Sequence, residues 1–297
     1  MSTSASTPSA PRANGGPILA AVDGSEPSLK ALTWAVDAAL GHGREVVAAH
    51  VRTGRDSSAP DLVRARIEET VAAYGERTPP VRYVAVDGAP ASALCELADE
   101  AALLVLGSRG LGGFAALLLG SNGRKCAAQA PCPVVVVPHE SRAAHAAQGG
   151  PPGRVVLGLD PEETADEVID FAFAGAARRG VELQVVSTYR VPLRALTTMG
   201  DLVPGDAADA RRAGLALTAG QRERLTAFAE RYPKVAVDPV VAPADPAGRL
   251  VTASRTADLL VVGRHRRRLT TDTLIMGSVA NAVLLHAHCA VAVVPGR

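Results

Sequence analysis

The chain has few aromatic side chains: Phe, Trp and Tyr make up 3% of its 297 residues. Any core must therefore be built from Ala, Val, Leu and Ile. Cysteine is scarce as well. Cys95, Cys126, Cys132 and Cys289 are too scattered for a disulfide scaffold, and none forms the C-x-x-C pair of a structural zinc site or a thioredoxin-type dithiol. Neither sign of charge prevails. With 31 basic and 30 acidic residues the net charge is +1, which gives no support for bulk binding to nucleic acid or a membrane surface. No run approaches the roughly 18 consecutive apolar residues that a membrane-spanning helix needs. Residues 1–17 are small and polar, so they read as a disordered lead-in rather than a secretory signal, and the expected compartment is the cytoplasm.

What is present is globular in character, since 47% hydrophobic against 21% charged residues excludes a wholly disordered chain. An internal repeat organises it. Apolar strands at 18–23 and 155–160 both end in Asp, and helical patterns follow at 26–40 and 164–179. Second strands fall at 45–51 and 182–188, third strands at 81–86 and 235–241, and further helices at 90–101 and 246–257. Fourth strands at 103–107 and 259–263 precede a Gly-Ser pair opening a short helix, and a Cys and a valine run close each half. This predicts a tail at 1–17, a first domain at 18–138, a linker rich in Ala, Gly and Pro at 139–153, and a second domain at 154–297. Continuous Val/Leu/Ile strands alternating with amphipathic helices predict an α/β fold of two tandem, doubly wound, five-stranded parallel-sheet domains. Ligands of such sheets bind beyond the carboxyl ends of the strands, where the strand order reverses.

At that end of the first half, Gly107-Ser108-Arg109-Gly110 follows strand four directly, and Gly120-Ser121-Asn122 opens the next helix, giving the pattern G-x2-G-x9-G-S. Glycines let backbone approach an anion, successive N–H groups form an anion nest, and a helix N-terminus adds donors and a favourable dipole. Ser121 can add a hydroxyl and Arg109 a charge. The physical reading is a phosphate site; the alternative is that these glycines only shape turns.

With its Val22-Asp23-Gly24-Ser25 turn, its G-x2-G-x9-G-S run and its Pro131-Cys132-Pro133-Val134 ending, the sequence resembles the universal stress protein family. The resemblance covers about 18–138 and, more weakly, 154–295. It implies the adenine-nucleotide alpha-hydrolase-like fold and, for members with this glycine run, ATP, expected with Mg2+. By resemblance Gly107, Ser108, Arg109, Gly110, Gly120, Ser121 and Asn122 would line the triphosphate and ribose. Asp23 would face the ribose or base with Ala21 beside it, and Val51 would hydrogen-bond adenine through its backbone. The family dimerises through the last strand, here 134–137, and in tandem members the two halves pair this way. The resemblance thus implies pairing within the chain, with a homodimer as the other use of that edge.

The second half departs from the pattern. Gly263 and Gly277-Ser278 are kept, but Arg266 replaces the middle Gly, and Asp160 leads into Pro161-Glu162-Glu163. Extra carboxylates repel a polyphosphate. The basic run at 264–268 could compensate, or could be a solvated loop, so one good nucleotide site is expected, in the first half.

Other chemistries are set aside. The first strand is not followed by G-x-G-x-x-G, and neither the P-loop nor the G-x-S-x-G pattern occurs. His286 and His288 read as residues of a helix C-terminus, His50 and Trp34 as core, Cys132 and Cys289 as small buried apolar groups, and Glu26 and Asp37 as surface residues. No carboxylates can be assigned as acid and base. The expected function is an ATP-binding stress sensor or regulator. The alternatives are a slow ATPase or nucleotidyl-transfer enzyme in the same pocket, and a scaffold without nucleotide.

Overall fold

The computed structural model describes residues 15–54, 60–108, 120–138, 153–190, 204–264, 266–268 and 274–296. The expected lead-in up to residue 14, the linker at 139–152, and Arg109 and Gly110 lie outside the described residues.

The first half runs β1 (Ile18–Ala21), α1 (Glu26–His42), β2 (Val46–Arg52), α2 (Pro60–Ala72), β3 (Val81–Asp87), α3 (Pro90–Leu97), β4 (Leu103–Gly107), α4 (Ser121–Gln129) and β5 (Val134–Val137). The second repeats it as β6 (Val155–Gly158), α5 (Asp166–Arg179), β7 (Leu183–Tyr189), α6 (Pro204–Arg231), β8 (Val237–Pro243), α7 (Pro246–Ser254) and β9 (Leu259–Arg264). A hairpin of β10 (Arg266–Arg268) and β11 (Leu274–Met276) follows, then α8 (Ser278–His286) and β12 (Ala290–Pro295). Each half is a five-stranded parallel sheet whose order reverses between its first and fourth strands, as expected. The two sheets join into one of ten strands, β3-β2-β1-β4-β5-β12-β9-β6-β7-β8. The joint is antiparallel, with Val134 opposite Val293, Val135 opposite Ala292 and Val136 opposite Val291.

The strands form because their residues are apolar on both sides. Along β5 the side chains of Val135 and Val137 enter one core layer and those of Val134 and Val136 the other. Both layers hold residues of both halves, so the hydrophobic core is continuous across the joint. Helix ends follow local chemistry. Ser25 caps α1, and Asp245 caps α7 by accepting the Gly248 N–H at 2.8 Å. Gly43 and Gly180 close α1 and α5 in the left-handed conformation, at φ 62° and 63°.

Two features differ from the sequence expectation. Helices α2 and α6 were not picked out, because α2 buries only Val63 and Ile67 on an otherwise polar surface. Within the basic run at 264–268, Arg266–Arg268 is a strand that pairs with Leu274–Met276, and β11 contacts α4 of the first half. His50 is buried and its Nδ1 meets the Tyr83 hydroxyl at 3.2 Å, which accounts for it as a packed residue.

Trp34 packs against the core and also carries the Arg179 guanidinium of the other half, 5.5 Å from the ring centroid. Nearby, burial and then the Arg178, Arg44 and Arg179 charges push the His42 pKa down to about 4. Between about pH 4 and 6.5 the unfolded chain therefore binds the His42 proton that the folded chain refuses. Stability is expected to fall as pH drops through that window, and His42→Gln should flatten the decline. Urea denaturation of both proteins from pH 7 to 4 measures it; parallel profiles would contradict the arginine environment.

Candidate functional site

The first half converges on its site from three strand ends. After β1, whose last residue Ala21 is half-buried opposite Ala49, the chain turns through Asp23, Gly24 and Ser25. Asp23 Oδ1 accepts the Ser25 N–H at 3.0 Å and the Ser25 hydroxyl at 2.6 Å. The Ser25 Oγ accepts the Ser28 N–H at 3.4 Å, and Ser28 returns its hydroxyl to the Ser25 carbonyl at 2.8 Å. Gly24 sits at φ 81°, where an L side chain is strained, and an added Cβ would lie 3.3 Å from Val63 Cγ2.

Next to it, β2 runs past the end of β1. The Ala49 carbonyl accepts from Val22 on the β1 side, and the Arg52 carbonyl accepts from Gly88 on the β3 side. Strand alternation turns the backbone groups of Val51 towards β1, beyond the last pair of that ladder. The Val51 backbone thus faces the β1 side at the carboxyl end of β2, next to the strand at which the order reverses.

The third end is β4. An added Cβ at Gly107 would stand 2.6 Å from the Pro27 carbonyl oxygen, so this glycine is required by the close approach of β4 to α1. Ser108 is buried, and its N–H donates to the Val137 carbonyl at 2.9 Å. Its own carbonyl accepts the Gly120 N–H at 3.0 Å, which ties together the two ends of the segment between them. Helix α4 starts there. Its cap Gly120 offers no side-chain hydrogen bond, its first turn holds no acidic residue, and Ser121 and Asn122 are exposed. Among the described residues, an added Cβ at Gly120 would meet the Ser108 carbonyl oxygen at 4.0 Å, and its φ of −68° is open to any residue. The structure therefore brings Ala21, Asp23, Val51, Gly107, Ser108, Gly120, Ser121 and Asn122 to the carboxyl end of one sheet. Uncapped amides over a concave backbone can accept an anion.

The second half holds a cleft of about 320 Å³ at the equivalent place, lined among others by Asp160, Glu163, Thr188, Arg264 and Ser278. Asp160 is wound into its turn, accepting the N–H groups of Glu162 and Glu163 at 2.9 and 3.3 Å. Arg264 is buried, and its guanidinium donates to the Ala130 carbonyl of the first half. Helix α8 also begins without a side-chain cap.

The sequence pattern of the universal stress protein family matches residues 16–138 and again residues 152–295. The chain belongs to the universal stress protein family. A universal stress protein of Mycobacterium tuberculosis (strain ATCC 25618 / H37Rv) is 33% identical over 249 residues, which is 82% of this chain and 73% of that protein. One of Mycolicibacterium smegmatis (strain ATCC 700084 / mc(2)155) is 35% identical over 209 residues, or 70% of this chain and 66% of that one. The crystal structure of a universal stress protein from Archaeoglobus fulgidus superposes with a TM-score of 0.60 over 94% of this chain and 97% of its own, at 18% identity, a likeness of fold.

Sequence reasoning missed one device in this universal stress protein. From α2, Arg66 donates to the Gly24 carbonyl and, at 2.6 Å, to Glu26. From α6, Arg224 donates to the Pro161 and Thr164 carbonyls at 2.7 Å each and to Asp166 at 2.6 Å. An arginine thus clamps the first strand-helix turn in each half. The signal was hidden because neither helix had been picked out. At the first of these turns, Gly24→Ala should cost about 1–2 kcal/mol through its positive φ, whereas Gly120→Val, at an open φ, should lose only a favoured cap residue, about 0.5 kcal/mol. Urea denaturation measures both; equal costs would mean the two glycines answer to the same constraint.

Proposed function

We propose that this protein binds ATP in its first half and serves, in the cytoplasm, as a nucleotide-responsive regulator of the stress response. The observation that carries the reading is the α4 N-terminus, which starts at a glycine, takes no side-chain cap from it and holds no acidic residue in its first turn. Phosphate oxygens fit the amides of Ser121 and Asn122 and the Ser121 hydroxyl, with Arg109 and Gly110 of the motif completing the cradle. The base fits against the backbone of Val51, with Ala21 and Asp23 below it. ATP would bring Mg2+ on its phosphates: among the described residues no cluster of three or more His, Cys, Asp or Glu stands ready to hold a metal.

The chemistry favours binding over turnover. The Asp23 carboxylate at the turn is engaged by Ser25, and no pair of acid and base flanks the motif. The edge of β5 is used inside the chain, so a homodimer would need another surface. A second reading concerns the cleft of about 320 Å³ in the second half, whose volume favours a ligand there too. Asp160 and Glu163 in its wall weigh against a triphosphate.

Calorimetry with Mg-ATP tests both readings, with one nucleotide per chain expected and two adding the second half. ATP at a hundred-fold excess over Kd should stabilise the fold by about 2.7 kcal/mol. Gly120→Val should leave the fold intact and weaken binding by at least about tenfold, or about 1.4 kcal/mol. No thermal shift would leave the scaffold reading, and phosphate release faster than about 1 per second would favour an enzyme.

A further inference from the structure

Helices α3 and α4 pack on each other in the first half, and each carries a cysteine into the contact. Cys126 of α4 is wholly buried, and its Sγ lies 3.9 Å from the carbonyl oxygen of Ala91. Ala91 stands one helical turn before Cys95 in α3, so Cys95 lies on the same face of α3 as the carbonyl that Cys126 meets. Cys95 is half-buried and so open to a small solute, whereas Cys132 and Cys289 are buried. The second half contributes a cation, since the Arg264 guanidinium is anchored on the Ala130 carbonyl just beyond α4.

These surroundings divide the cysteines. The neighbouring Cys126 thiol lowers the Cys95 pKa, against burial, and the Arg264 charge lowers it further. The Cys95 neighbour and burial push Cys126 far up. Burial, helped by Cys95 at Cys132 and by the Asp258 charge at Cys289, drives both up to about 12. One accessible thiol with thiolate character beside a second, shielded thiol is the arrangement of a peroxide-reactive pair.

We propose that Cys95 and Cys126 are a dithiol that a peroxide oxidises to a disulfide, stapling α3 to α4. The Cys95 thiolate attacks one peroxide oxygen, the O–O bond breaks, and the departing hydroxide takes a proton to become water. Cys95 is left as a sulfenic acid. The Cys126 sulfur then attacks the Cys95 sulfur, the S–O bond breaks, and the leaving hydroxide takes the Cys126 proton. The sum is two thiols and one peroxide giving one disulfide and two waters: the peroxide gains two electrons and each sulfur loses one. Arg264 is a positioning residue that holds the thiolate form. The inference is independent of nucleotide binding.

The test uses the reduced, full-length protein in hydrogen peroxide at pH 7 without nucleotide. Two thiols per chain should disappear, mass spectrometry should find a Cys95–Cys126 linkage within one chain, and dithiothreitol should restore both. Cys95→Ser should slow thiol loss at least tenfold. Cys126→Ser, or Cys126→Ala where serine disturbs the buried site, should leave a Cys95 sulfenic acid that dimedone traps. Arg264→Gln should move the pH midpoint for alkylation of Cys95 upwards, a readout that loss of packing alone would not shift in that direction. Linkages involving Cys132 or Cys289, linkage only between chains, or a Cys95→Ser protein oxidising as fast as the parent would each overturn the proposal.

Discussion

The antiparallel contact between β5 and β12 is the constraint on which the architecture depends. A five-stranded parallel sheet that ends on Val134–Val137 presents an apolar edge with unpaired backbone groups, which invites uncontrolled pairing. Each half supplies the other's missing neighbour, so the exposed edges of the ten-stranded sheet move out to β3 and β8. Because both core layers run through the joint, neither half completes its packing alone. The joint also carries polar traffic. Arg264 reaches Ala130, Arg179 covers Trp34, and β11 lies against α4. Duplication has produced one structural unit with a candidate site in each half.

Those two sites have diverged while the scaffold beneath them has not. Both halves keep an Asp two residues beyond the first strand, a clamp arginine from the second helix, and a helix without a side-chain cap after the fourth strand. The first turn is closed tightly by Gly24, Ser25 and Ser28. In the second half Asp160 instead holds the N–H groups of Glu162 and Glu163, which sets a carboxylate at the mouth of the cleft. Strand pairing thus constrains the scaffold at every residue, whereas the turn between first strand and first helix is free to change length and charge.

How far the sequence was legible follows from what each feature needs. Strands such as Leu103–Gly107 and Val134–Val137 were readable to the residue, because burial on both faces demands an unbroken apolar run. The site was readable at its turns, where Gly24 and Gly120 punctuate the chain. Helix α2 was not, since two buried residues leave little periodicity. The clamp arginines depend on tertiary contact between α1 and α2 or α5 and α6, which local pattern does not encode. The same holds for Cys95 and Cys126. They are 31 residues apart in the chain, and only the packing of α3 on α4 makes them neighbours.

The glycines repay separate treatment, because one residue type answers three different demands here. Gly24 is needed for its backbone angle, and any side chain would be strained whatever the space around it. Gly107 is needed for proximity, since a single added carbon would meet the Pro27 carbonyl. Among the described residues neither demand falls on Gly120: its φ of −68° suits any residue and the Ser108 carbonyl oxygen lies 4.0 Å from an added Cβ. A residue with a side-chain oxygen would be the ordinary choice to cap a helix at that position. Leaving the amides of α4 uncapped forgoes that stabilisation within the chain, and an anionic group from outside can supply what the missing cap does not. Of the motif glycines that the structure describes, Gly107 is fixed by packing, whereas Gly120, a residue type also favoured at a helix cap, leaves the first amides of α4 to a ligand.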